Sequence, residues 1–164
     1  MPQPEKYNLQ RLLEMRERAR DEAALYLAEC RRLLNLAEIE LRSRKKAVEN
    51  CRQQQQSAQA QMIEKSGGGI KSGEIVRYRQ HLAALRGEEM KLRAAVEEQK
   101  RVVERAQLTI EKALDELDEK AKEVKVIEKH RENWRLKQKT EAAQRETKSN
   151  DEISSILHER QKFE

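Results

Sequence analysis

From Leu9 onward the chain repeats in steps of four and three: Leu9, Leu13, Arg16, Arg20, Ala23, Leu27, Cys30, Leu34, Ala37, Leu41, Arg44, Val48, Cys51, Gln55, Ala58 and Met62. Most of these positions are apolar. Large residues occupy one class of position (Leu13, Leu27, Leu34, Leu41, Val48, Met62) and small ones mostly fill the other (Ala23, Cys30, Ala37, Cys51, Ala58). That alternation predicts a helical seam where two backbones approach closely. Leu12, Ala19, Tyr26 and Leu33 form a flanking stripe expected to widen it.

The same steps resume at Ile75 and run through Tyr78, Leu82, Leu85, Glu89, Leu92, Val96, Gln99, Val103, Ala106, Ile110, Ala113, Leu117, Lys120, Val124, Ile127 and Arg131 to Trp134 without a slip. A single apolar stripe on a polar helix needs a second helix to cover it, and the first arm is the nearest candidate. Leu27, Leu34, Leu41 and Val48 are therefore assigned to a seam with Val96, Val103, Ile110, Leu117 and Trp134.

Four of the five glycines, Gly67, Gly68, Gly69 and Gly73, lie together between the two arms. Gly67 to Gly69 are expected to take the positive φ angles that stop a helix and turn the chain, with Ser72 capping the next helix beside Glu74. The sequence thus predicts an all-α fold: one long antiparallel two-helix coiled-coil hairpin over residues 1–164 with an unpaired C-terminal helical overhang. Its helices are placed at about 5–65 and about 73–148 around a tip at 66–72, with a possible restart over 150–162 where Ser149-Asn150-Asp151-Glu152 has the form of a capping box. Residue i should face roughly residue 138 minus i, so some 30 residues beyond Trp134 have no partner in the chain; helical, they would extend about 45 Å.

Composition narrows the function. Charged residues make up 40% of the chain and aromatic residues 3%, the balance of long helices rather than of a compact globular core. The longest apolar run, Ala23 to Ala28, is far too short to span a bilayer, and MPQPEKYNLQRLLEMRER lacks the apolar stretch of a secretory signal, so neither membrane insertion nor export is expected. Cys30 and Cys51 lie three heptads apart on one helix, about 31 Å, too far to bridge within it, and read as small buried thiols.

Three patterns imitate chemistry. Gly69-Ile70-Lys71-Ser72 resembles a phosphate-binding loop, but Ile70 replaces the required second glycine and no strand precedes it. His81, His130 and His158 are too dispersed for a metal site and read as solvated helix residues. A two-helix hairpin also has no deep pocket in which to tune carboxylates for acid catalysis. No enzymatic activity, metal or cofactor is expected. The basic cluster Arg42-Ser43-Arg44-Lys45-Lys46 sits in a chain of net charge +5, but Glu38, Glu40 and Glu49 interleave with it and no aromatic platform accompanies it, which argues against nucleic acid.

The stretch EKHRENWRLKQKTEAAQRETKSNDEISSILHERQ (128–161) resembles the C-terminal part of the YscO/FliJ family of bacterial type III secretion proteins, particularly its injectisome branch. The shared features are a lone Trp (Trp134) at the end of the paired coil, an Arg/Lys/Glu-rich stretch, and ETKSNDEISSILH with Asp151-Glu152 before a short apolar group. The triple glycine at the tip departs from the pattern. The resemblance implies a non-enzymatic cytoplasmic central stalk at the cytoplasmic face of the secretion apparatus, with a hexameric secretion ATPase, an export gate protein and secretion chaperones as partners.

On that implication Arg135, Lys137, Lys139, Arg145 and Lys148, with Asp151 and Glu152, make the polar part of the ATPase contact, and Ile153, Ile156 and Leu157 supply an apolar anchor. Two other readings stay open from the residues themselves: a generic cytosolic coiled-coil scaffold or tether, and a basic helical nucleic-acid binder. The exposed overhang and the flanking stripe also leave self-association open.

Overall fold

The computed structural model describes residues 7–161 and contains two α-helices in this range, α1 (Gln10–Gly67) and α2 (Ser72–Gln161). The fold is all-α, an antiparallel helical hairpin in which α2 outlasts α1. Every position reached by the four-three steps is buried or half-buried. The flanking stripe is different: Leu12, Tyr26 and Leu33 are exposed, because two helices cover only the seam and a third would be needed to cover its flank. The chain packs as two units, one of Leu25–Leu114 and one of Met1–Ala24 with Asp115–Glu164.

In the first unit the helices meet near the tip through Cys51, Ala58, Leu82 and Leu85, with Met62 and Leu92 packed alongside. Small residues on α1 oppose leucines on α2, so the two helices can approach closely. Farther along, polar groups enter the seam and are satisfied there. Gln99 is 7% exposed and its Nε2 donates to the Ala37 carbonyl at 3.0 Å. Arg44 donates to the Ala95 carbonyl at 3.0 Å, and the Cys51 thiol to the Leu85 carbonyl at 3.4 Å. These pairs set the register, their residue numbers summing to between 136 and 139. Cys30 and Cys51 are both buried, unpaired thiols.

Glu89 is the most heavily bonded carboxylate of this unit. Its side chain is only 13% exposed and accepts hydrogen bonds from Arg52 at 3.0 Å and Gln55 at 2.8 Å, with Arg93 one helical turn onward at 2.5 Å. Hydrogen bonding from Arg52, then from Gln55, outweighs burial and holds the Glu89 carboxyl below its ordinary range. A carboxylate at a seam position is tolerated because α1 supplies its counter-charge.

The turn uses its glycines unequally. Gly67 ends α1 and Gly73 lies inside α2, while the Gly68 and Gly69 amides bond back to the Lys65 and Ser66 carbonyls at 3.2 and 3.4 Å. Among the described residues Gly69 alone has positive φ, +89°, so the reversal needs one left-handed residue rather than three. The Ser72 cap is also corrected: the Lys71 carbonyl accepts from the Glu74 and Ile75 amides, so Lys71 holds the cap position and Ser72 is the first helical residue.

In the second unit Leu13, Val124 and Ile127 form a buried cluster lined by Tyr7 and Leu9. Arg16 bonds Glu123 across the seam at 2.6 Å. Beyond this cluster α2 continues as one helix through residues 149–152. The restart near residue 150 is therefore absent over the described residues; residues 162–164 lie outside them, as do residues 1–6, which hold the expected start of the first helix. A capping sequence marks a start only where the preceding helix has ended, and α2 does not break here. Its neighbouring hydroxyls turn back onto the helix instead, Thr147 to the Ala143 carbonyl and Ser155 to that of Asp151.

Candidate functional site

The candidate site is the part of α2 that α1 does not cover. Its inner edge is fixed by aromatic packing: the Tyr7 ring lies 5.4 Å from that of Trp134 and 5.7 Å from that of His130. The Tyr7 hydroxyl shares a 2.8 Å hydrogen bond with His130 Nδ1 and donates to the Ile127 carbonyl at 3.4 Å. Trp134 is half-buried here against Tyr7, which precedes α1. His130, expected to be merely solvated, is held by this phenol. Sequence reasoning missed the pair because Tyr7 precedes the regular repeat, although a register of 138 minus i does bring Tyr7 to this turn.

From Arg135 to Glu159 side chains are exposed except for Gln138 and Glu141, which are half-buried. Leu136, Ile153, Ile156 and Leu157 are between 53% and 57% exposed, so the apolar group near the end has no cover among the described residues. Glu141 lies between two cations, 4.0 Å from Lys137 and 3.9 Å from Arg145, both loose contacts. Arg135, Lys139 and Lys148 have no carboxylate within ion-pairing distance among the described residues.

These residues do not form one patch. At about 100° per residue, Lys137, Glu141, Arg145, Lys148 and Glu152 line one face of the helix, while Arg135, Lys139, Ile153 and Leu157 line another and Asp151 and Ile156 fall between. The segment therefore offers charge in several directions. With i and i+4 pairs this loose and exposed, each contributes only about 0–0.5 kcal/mol to the helix. The cations are thus left available to other groups.

Apart from Trp134 at its edge, the residues assigned to the seam lie away from this segment. Leu27, Val48, Val96 and Val103 are buried; Leu34, Leu41, Ile110 and Leu117 are half-buried. Among the described residues no helix is long and apolar enough to cross a membrane.

A coiled-coil hairpin with a largely exposed, mixed-charge helical end is the layout of a structural component that works through contacts with other proteins. The comparisons with known proteins agree with that class. The sequence profile of the YscO-like proteins matches residues 3–163, and the chain belongs to that family. It is a type III secretion-associated helical protein. Its structure is similar to that of CT670 from Chlamydia trachomatis, described as a YscO homolog, with a TM-score of 0.82, 26% identity, and coverage of 98% of this chain and 99% of that one. No curated protein matches the chain.

Proposed function

We propose that this protein is a central stalk of a type III secretion system, a non-enzymatic helical component that binds and modulates the hexameric export ATPase at the cytoplasmic face of the apparatus. The observation that carries the reading is the largely exposed segment of α2 from Arg135 to Leu157, whose cations have loose partners or none among the described residues.

A single helix set among six equivalent subunits cannot present the same side chains to each. One subunit would meet Lys137, Arg145 and Lys148 while another meets Ile153 and Leu157, so a six-fold ring would be made unequal by its contact with the stalk. Exposed ion pairs contribute about 0–1 kcal/mol each. A ring gripping through many such contacts can hold the helix without one orientation becoming a deep trap, as a stalk that turns relative to its ring requires. The anchor of Ile153, Ile156 and Leu157 would add burial without a directional preference. The packed remainder of the hairpin is left for the export gate and secretion chaperones.

The test is stimulation of a hexameric type III secretion ATPase by the wild-type chain and by R145E/K148E. Reversing two cations on one face should weaken the interaction about tenfold and steepen its salt dependence, while circular dichroism shows unchanged helicity. Unchanged stimulation by the folded variant would remove this segment from the contact.

A further inference from the structure

The unit Leu25–Leu114 carries a second feature, separate from the ATPase contact. Along α2, Arg79, Arg86, Arg93 and Lys100 recur every seven residues, and Lys45 and Arg52 of α1 border the same flank of the seam. One stretch of this groove, about 620 Å³, runs between Lys45, Arg52, Arg93 and Lys100. The next, about 540 Å³, has Arg79 and Arg86 beside a floor of Met62, Leu82 and Ala83. The other flank of the unit has a groove of about 680 Å³ bordered mainly by amides and hydroxyls, among them Asn50, Gln54, Ser57 and Gln61. Toward the tip that flank also holds Lys65 and Arg77 beside Glu74, so what sets the first flank apart is its row of cations at heptad spacing.

Flanking positions of a coiled coil ordinarily pair opposite charges across the seam. Here cations of the two helices stand on the same flank, a repulsive arrangement that is only partly relieved. Glu89 takes Arg52 and Arg93, Glu49 stands 4.0 Å from Arg52, and Glu97 takes Lys100 at 2.7 Å. Arg79 and Arg86 meet no carboxylate among the described residues, and they border the apolar part of the groove.

We infer that this flank is a docking surface for an acidic amphipathic helix of a partner protein, one with Glu or Asp at heptad intervals and an apolar edge that meets Met62 and Leu82. Both helices rise about 1.5 Å per residue, so acids seven apart match cations seven apart, at about 10.5 Å, over several turns. Nucleic acid fits less well. A strand carries a phosphate about every 3.4 Å, and so dense a row would meet the fixed carboxylates of Glu89 and Glu97 as well as the cations, with no aromatic residue on this flank to stack a base. Neither arm alone reads as basic because the groove draws its cations from both.

The test uses a fluorescent four-heptad synthetic helix with glutamate at every seventh position and a leucine edge, titrated with the full-length chain and followed by anisotropy. The wild type should bind it, with affinity falling as salt rises. R79E/R86E should weaken binding about tenfold or more, R79Q/R86Q by less, with helicity retained in both; a peptide with lysine in place of glutamate should not bind. Absence of binding by the wild type, equal binding by the folded R79E/R86E variant, or tighter binding of a DNA duplex than of the glutamate helix would each overturn the inference.

Discussion

Leu13 offers a direct test of how the seam is held. Its side chain is wholly buried against Val124 and Ile127, with Tyr7 and Leu9 beside it, whereas Leu25 is 73% exposed on the same helix. Leu13→Ala removes three buried carbons, about 2.4 kcal/mol of transfer free energy at roughly 0.8 kcal/mol each. Two helices leave both flanks of the seam open to water, so a cavity can partly collapse or fill, and the added cavity cost should be small. The expected loss is about 2–3 kcal/mol, toward the lower end of buried leucine truncations. Leu25→Ala should stay within about 0.5 kcal/mol. Trp134 is the sole tryptophan and belongs to the same unit as Leu13, so its fluorescence reports that unit during urea unfolding. With a urea slope of about 2 kcal/mol/M, Leu13→Ala should lower the midpoint by roughly 1 M. Equal midpoints for the two variants would refute the assignment of Leu13 to a load shared with α2.

Other outcomes follow from the same geometry. Glu89 has its folded pKa lowered, so its contribution is present above the unfolded value and is lost as pH falls through the folded one. Between pH 5 and pH 2 the wild type should lose more stability than Glu89→Gln does; parallel melting curves across that range would contradict this. Gly87 lies within α2 with open space where a Cβ would sit, so Gly87→Ala should raise stability by about 1 kcal/mol. Gly69 is equally open but has φ of +89°, so Gly69→Ala should cost about 1 kcal/mol through backbone strain alone. Thermal melts that move both glycine variants in the same direction would contradict the distinction.

The seam was legible in the sequence because its signal is periodic and local: Leu13, Leu27, Val96 and Val124 can be reached by counting along one helix. What fills the polar steps was not. Glu89 and Gln99 break the apolar pattern, and their partners Arg52 and Ala37 lie on the other helix, where only the folded register brings them close. The turn was visible in its cluster of glycines, yet which of them turns left-handed depends on where α1 stops, and α1 runs to Gly67 before Gly69 reverses the chain. The capping sequence at Ser149 misled because it marks a helix start only where a helix has ended. For the candidate site, the exposure of most of α2 beyond Trp134 among the described residues was predictable from unequal arms. The division of Lys137, Arg145 and Lys148 from Arg135 and Lys139 onto separate faces follows only once that segment is one unbroken helix.

The most direct test of the stalk reading is hydrogen exchange of the full-length chain, alone and with a hexameric type III secretion ATPase. Backbone amides from Arg135 to Leu157 should exchange rapidly in the free protein and become protected in the complex, while those of the cluster around Leu13 and Val124 stay unchanged. Protection confined to Leu25–Leu114, with exchange from Arg135 to Leu157 unaltered by the ATPase, would contradict the account.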